Sequence, residues 1–156
     1  MRCSRRVRVH FEQLVPATRE RVFAFHADPS NLAHLMGTLD GFGLLRHDGS
    51  IAPGSVTSVR ERFAGSSIRM DFRHVRCEPP HMFEEHLIAG PFALFTHVHR
   101  FQAEGAATRV TDELEVRLRW WLGGELATRI LVAPRLRRAF AARHAALSRL
   151  IEAGAL

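Results

Sequence analysis

The chain has 156 residues, of which 46% are hydrophobic and 24% charged; this is typical of a globular domain and argues against disorder. No apolar run is long enough to cross a bilayer, so we expect no stable membrane insertion. All 22 basic residues are arginines, and tyrosine is absent, which excludes a Schiff-base lysine, a P-loop lysine and a tyrosine acid. We expect a single domain over residues 1–156.

The formal net charge is +6, but the arginines are scattered and alternate with acidic residues. We interpret most of them as a solvated surface and expect no nucleic-acid partner. No apolar signal segment follows the basic residues 1–6, which predicts a cytoplasmic location. Cys3 and Cys77 form no CxxC pair, so two free thiols are expected rather than a disulfide or a thiolate zinc site.

The first elements follow from alternation and capping. Residues 6–11 alternate between polar and apolar, which predicts a half-buried strand. Thr18 is a suitable N-cap for a short helix that runs to about His26. Asp28–Pro29 then places a cap and a first-turn proline for a second short helix, which Gly37 ends.

Residues 41–119 are read as an antiparallel meander, because turn signals recur about every ten to twelve residues. The signals are Asp48–Gly49, Pro53–Gly54, Gly65–Ser66, Pro79–Pro80, Gly90–Pro91 and Gly105. After Trp120 and Trp121, which we expect to be core anchors, the period becomes helical. The predicted apolar stripe is Leu126, Ile130, Ala133, Leu136, Phe140, Leu147 and Ile151, and Pro134 should kink this helix. The element order predicts an α+β fold in which the sheet wraps around one long C-terminal helix.

The most informative stretch is 90–101, because it places His97 and His99 two residues apart on a strand, on the face shared by Phe95 and Phe101. If consecutive strands pair with each other as simple hairpins, the inward face of the strands next to residues 90–101 carries further polar groups. These are His74, Glu84, His86 and Asp112, among Met70, Phe72, Met82, Ile88, Val110, Leu114 and Val116. A buried Asp112 needs a partner, and His99 is its expected cross-strand neighbour.

Three interpretations of this polar set stay open. It is a hydrogen-bond network inside the sheet, or the polar floor of an apolar ligand cavity, or a reactive site. In the third case, His97 and His99 with Glu84 or Asp112 suit zinc or iron, and a His–Asp pair suits acid–base work in an aldol or dehydration step. A His-x-His pair on a strand is weakly specific, so we expect neither a metal nor a cofactor.

Several segments resemble the START/Bet v 1-like superfamily, also called SRPBCC or polyketide cyclase/dehydrase-like. They are residues 22–32, the Gly-Pro-Phe and His-x-His-x-Phe motifs within 90–101, residues 108–112 and residues 140–143. The resemblance covers nearly the whole chain, and 90–101 is similar to a small bacterial subgroup. It implies a helix-grip fold: a seven-stranded antiparallel sheet curved around the C-terminal helix, two short helices after the first strand, and a cavity between sheet and helix.

Members of this superfamily bind lipids, sterols, polyketides or quinones, and a minority are cyclases, aromatases or dehydratases. They share no universal catalytic residues, so none is carried over, and fold analogy alone does not supply a function. We therefore expect a module that binds a small hydrophobic ligand, with a cyclase or dehydratase as the alternative; a homodimer stays open. The expected cavity lining is Met70, Phe72, Phe95, His97, His99, Phe101, Leu114, Leu136 and Phe140. The candidate catalytic residues are His97, His99, Asp112 and Glu84.

Overall fold

The computed structural model describes residues 6–37, 39–63 and 65–156, so Cys3 lies outside the described residues. Seven strands form one antiparallel sheet in the order β1-β7-β6-β5-β4-β3-β2. The strands are β1 (Val7–Val15), β2 (Gly43–His47), β3 (Val56–Phe63), β4 (Ser66–Glu78), β5 (Met82–Ala89), β6 (Phe92–Glu104) and β7 (Ala107–Leu118). The predicted meander and the hairpin turns at Pro79–Pro80, Gly90–Pro91 and Gly105 are confirmed.

Two short helices follow β1, as predicted. Helix α1 (Arg19–Ala27) has Thr18 at its N-cap position, although the Thr18 side chain makes no capping hydrogen bond. The second predicted helix begins as a 3₁₀ turn in which the Asp28 carboxylate accepts a hydrogen bond from the Ser30 N–H at 2.9 Å. It continues as α2 (Leu32–Met36), with Gly37 at its C-cap position.

The C-terminal helical segment departs from α geometry near Pro134. It comprises α3 (Gly124–Ala127), a π-helical turn (Thr128–Val132) and the long helix α4 (Ala133–Glu152). Pro134 has no N–H to donate to the carbonyl four residues earlier, so the ordinary α-helical ladder cannot continue through this point. The chain accommodates Pro134 with the wider π-helical turn.

The π turn explains why part of the predicted stripe is wrong. Leu126 and Ile130, expected to face the sheet, are 68% and 61% exposed, because the wider turn rotates them out of register with α4. Trp120 and Trp121 are not core anchors either: they are 82% and 59% exposed and pack edge to face against each other. The stripe is confirmed within α4, where Ala133, Phe140 and Leu147 are buried.

Strand β7 lies between β1 and β6, and its alternation sets the inward face of the sheet. Every second residue from Thr108 to Leu118 is buried, as the sequence predicted. Beside it, His99 pairs with Asp112 and His97 with Leu114, so the polar side chains of β6 and β7 share one face. Gly105, at φ +61°, makes the turn that joins these two strands.

Two apolar clusters lie between the sheet and the helices. One includes Phe23, Phe83 and Phe101, and the other includes Leu114 and Phe140. Among the described residues, no helix is both long enough and apolar enough to span a membrane.

Leu114 provides a test of the sheet's inward face. It is 2% exposed at the centre of β7, so Leu114→Ala removes buried apolar surface and leaves a cavity. We expect this variant to lower the free energy of unfolding by about 2–5 kcal/mol. Urea titration at an unchanged m-value measures it. Leu45→Ala, at a position 46% exposed on β2, is the control and should change stability by less than about 0.5 kcal/mol.

Candidate functional site

A cavity of about 650 Å³ lies between the sheet and the helical segments. Its volume is in the range of small-molecule sites, about 300–1,000 Å³. The apolar part of its wall comes from β3, β4, β6 and β7, from α2 and the loop that follows it, and from the C-terminal segment. It includes Leu32, Met36, Phe42, Val59, Met70, Phe72, Phe92, Phe95, Leu114, Ile130, Leu131, Leu136 and Phe140.

A second cavity of about 50 Å³ adjoins the large one. His74 and His99 line the small cavity, and His97 lines the large one. Glu85 and Arg143 line both, so these two charged side chains stand where the cavities meet.

The predicted lining residues lie around the large cavity with two exceptions. His99 lines the small cavity instead. Phe101 lines neither; it is 3% exposed and packs edge to face on Phe23 and His26 at 5.3 and 5.2 Å. Phe101 belongs to the core because α1 covers its end of β6.

The two imidazoles of β6 are held by one carboxylate. Nε2 of His97 is hydrogen-bonded to Oδ1 of Asp112 at 2.9 Å. Nδ1 of His99 lies 2.8 Å from the same oxygen, close enough for an ion pair but off the line of a good hydrogen bond. Asp112 is 1% exposed, and the pairing of His99 with Asp112 confirms the expected cross-strand neighbours.

The expectation that Glu84 points inward is wrong by one residue. Glu84 contacts His86 on the other face of β5, with 2.6 Å between carboxylate and imidazole. Glu85 points inward, and its Oε1 lies 3.3 Å from Nδ1 of His97 and 3.8 Å from Nε2 of His99. The sheet pairs Glu85, not Glu84, with His97. That register needs an odd number of residues in the turn at Gly90–Pro91, whereas an even number of turn residues would place Glu84 opposite His97.

We refer to Glu85, His97, His99 and Asp112 as the inner polar cluster. It lies between the two apolar clusters: the His99 ring stacks on Phe83 at 4.1 Å, and the His97 ring meets Phe140 edge to face at 5.5 Å.

Arg143 supplies the positive charge that this cluster needs. It is only 7% exposed, and its guanidinium lies 5.6 Å from the centre of the Phe140 ring. Burial alone would raise the pKa of Asp112, but the charge of Arg143 and the contacts with the surrounding imidazoles hold that pKa well below its usual value. His144 adds to this side, with Nε2 4.0 Å from Oδ2 of Asp112.

The pKa values of the two imidazoles are shifted in opposite directions. Burial would lower the pKa of His97, yet its hydrogen bonds to Asp112 and Glu85 raise it overall. Burial and the nearby charge of His97 lower the pKa of His99. For Glu85, the contacts with both imidazoles outweigh burial and hold the pKa well below its usual value. These directions favour ionised carboxylates, and they make His97 rather than His99 the imidazole that takes up a proton more readily.

Sequence reasoning missed Glu85 and Arg143. The signal for Arg143 was present: it lies three residues after Phe140 and four before Leu147, on the buried side of α4. No comparable signal separated Glu85 from Glu84. Chemically, the assembled groups can orient a polar atom of a ligand, transfer a proton through His97, or hold a metal through Glu85, His97 and His99.

The chain belongs to the family described as polyketide cyclase / dehydrase and lipid transport, whose sequence model matches residues 15–143. That match covers the strands and helices that enclose both cavities. No curated protein sequence matches the chain significantly.

Solved structures share the fold at low sequence identity. The protein TTHA0849 from Thermus thermophilus is 19% identical with a TM-score of 0.74, over 96% of this chain and 100% of that one. Zhui aromatase/cyclase from Streptomyces sp. R1128 is 15% identical with a TM-score of 0.74, over 95% and 94%. A norcoclaurine synthase point mutant from Thalictrum flavum, in complex with a transition-state analogue, is 15% identical with a TM-score of 0.71, over 97% and 98%. These likenesses establish the helix-grip fold.

His26 gives a pH-dependent test of the packing beside the small cavity. Its ring is buried, with Nδ1 2.8 Å from the carbonyl oxygen of Val22, and burial lowers its pKa to about 3. Between pH 6.5 and 3, His26 is therefore protonated in the unfolded state but not in the folded state, so acid destabilises the fold. From pH 6.5 to 4.5, His26 alone costs about 2 kcal/mol of stability.

We expect His26→Leu to remove this part of the acid sensitivity. Urea titrations at both pH values measure the difference between wild type and variant. His34→Asn changes an exposed histidine on α2 and is the control, so its acid response should match that of the wild type. An unchanged pH response in His26→Leu would contradict the assignment.

Proposed function

We propose that this chain binds a small hydrophobic molecule, of the lipid, polyketide or quinone class, in the large cavity. The observation that carries the proposal is a cavity of about 650 Å³ whose wall is largely apolar, with a buried charged cluster at one place in it. An apolar wall favours an apolar ligand body, and a few placed polar groups orient it. Membership of a family that includes lipid transport supports this proposal.

His97 and Glu85 are the groups that a ligand in the large cavity would meet. Nδ1 of His97, now 3.3 Å from Glu85, can donate to a carbonyl or hydroxyl oxygen that takes the place of this contact, and Glu85 can accept a hydrogen bond from a hydroxyl group. The ligand that fits best is therefore an apolar molecule with one oxygen-bearing end. A cytoplasmic location and a homodimer stay predictions.

A second candidate is a cyclase or dehydratase that works on a ligand of the same kind. It is favoured by the 2.9 Å contact between His97 and Asp112, because a carboxylate that orients a protonated imidazole is an arrangement for general acid catalysis. The fold shared with an aromatase/cyclase adds an analogy and no more. Which candidate holds depends on whether the bound molecule is changed.

Filling the cavity tests the binding proposal. Val59, on β3, is 4% exposed and lines the large cavity, so Val59→Phe places a ring in the ligand's space. We expect the affinity for anilinonaphthalene sulfonate, a fluorescent probe whose rings bind apolar cavities, to fall at least about tenfold, the effect of about 1.4 kcal/mol. Fluorescence titration measures it, with near-ultraviolet circular dichroism as the check on folding.

Val75→Phe is the matched control, because Val75 lies on the opposite face of the sheet at β4 and is 39% exposed. It should bind the probe as the wild type does. Equal binding by Val59→Phe and wild type would count against the cavity. Native mass spectrometry of protein purified without detergent identifies what the cavity retains.

The catalytic candidate has its own test, on whichever molecule mass spectrometry recovers. Asp112→Asn and His97→Ala should each reduce turnover at least about a hundredfold, the range of positioned proton transfer. Glu84→Gln, on the outer face, should leave turnover unchanged. Full turnover in Asp112→Asn would end the catalytic interpretation and leave binding alone.

A further inference from the structure

We infer that Glu85, His97 and His99 form a binding site for a divalent transition metal ion, with zinc as the probe. This inference needs no hydrophobic ligand, although it uses two side chains, Glu85 and His97, that the proposed function places against the ligand. It starts from three potential ligand atoms, one from each side chain, that lie within 4.8 Å of one another.

The distances suit a metal. The edge of a tetrahedral zinc site with ligand bonds of 2.0–2.1 Å is about 3.3–3.4 Å. Oε1 of Glu85 lies 3.3 Å from Nδ1 of His97 and 3.8 Å from Nε2 of His99. Small side-chain shifts bring all three atoms onto one ion, and strands β5 and β6 already hold them on one face.

The far side of each imidazole is already engaged. Asp112 holds Nε2 of His97 at 2.9 Å and Nδ1 of His99 at 2.8 Å. A carboxylate beside one imidazole nitrogen leaves the opposite nitrogen to bind a metal. Nδ1 of His97 and Nε2 of His99 are those opposite nitrogens, and both face the Glu85 carboxylate. A metal ion bound here displaces the proton of the 3.3 Å hydrogen bond between His97 and Glu85 and neutralises the charge of the carboxylate.

The second oxygen of the Glu85 carboxylate also has a neighbour that orients the group. Its Oε2 lies 3.6 Å from Nε2 of His74, whose Nδ1 is 3.3 Å from the Ser55 hydroxyl. Glu85 and His97 line the large cavity, and Glu85 and His99 line the small one. An ion held by these three residues has three protein ligands and positions open to the cavities, a ligand set used for zinc and for non-haem iron.

The test is zinc binding to the full chain without an affinity tag, stripped with chelator and titrated against a chromophoric competitor. We expect one zinc per chain in the wild type. Glu85→Gln should weaken binding at least about a hundredfold, and Asp112→Asn should weaken it by about 10–100-fold, as the loss of a carboxylate that supports metal-bound histidines does. Glu84→Gln is the matched control: it changes the adjacent carboxylate, which faces away and contacts His86, and should bind zinc as the wild type does.

A second measurement needs no variant. X-ray absorption at the zinc edge of the wild-type complex should show two imidazoles bound to each zinc. The inference is overturned if the wild type takes up no zinc, if Glu85→Gln binds as tightly as Glu84→Gln, or if the zinc has fewer than two imidazole ligands. Binding of the fluorescent probe to the large cavity is measured separately, so either conclusion can fail alone.

Discussion

The rest of the site depends on one buried carboxylate. Asp112 lies at the middle of β7, 1% exposed, on a face that is otherwise apolar. An unpaired charge there would cost several kcal/mol, so the fold must bring compensating groups to it. His97 and His99 come from the neighbouring strand, and Arg143 and His144 come from α4. The carboxylate thus ties the sheet to the long helix.

The contacts of Asp112 with β6 and α4 also determine where polar side chains lie in the interior. Polar side chains occupy the boundary between the two apolar clusters, and the large cavity begins on one side of them. Glu85, on β5, contacts the same two imidazoles from the side opposite Asp112, so the two imidazoles lie between two carboxylates. Such a network orders the wall of the cavity, because His97 is hydrogen-bonded through both nitrogens and His99 lies within ion-pair distance of both carboxylates. Ligand orientation, proton transfer and metal binding all draw on the same geometry.

The family and the fold are consistent with a ligand cavity of this kind, at a coarser level than the residues of the site. The chain belongs to a family of polyketide cyclases, dehydrases and lipid-transport proteins, and its fold is shared with proteins that are less than 20% identical to it. At such identities the architecture persists while the cavity contents vary. The large cavity and the inner polar cluster are therefore the features that distinguish this particular chain.

The sequence by itself determined the order of the elements and the faces of β4, β6 and β7, because a strand's side chains alternate strictly and one face of β7 is charged. It also predicted Asp112 beside His99. Only the tertiary structure decided between Glu84 and Glu85, since one residue more or less in a turn reverses the face of a whole strand. The same holds for Leu126 and Ile130, whose outward rotation follows from the π turn before Pro134. Alternation and helical period are local properties that a sequence carries, whereas turn length and helix register are settled by how the elements pack.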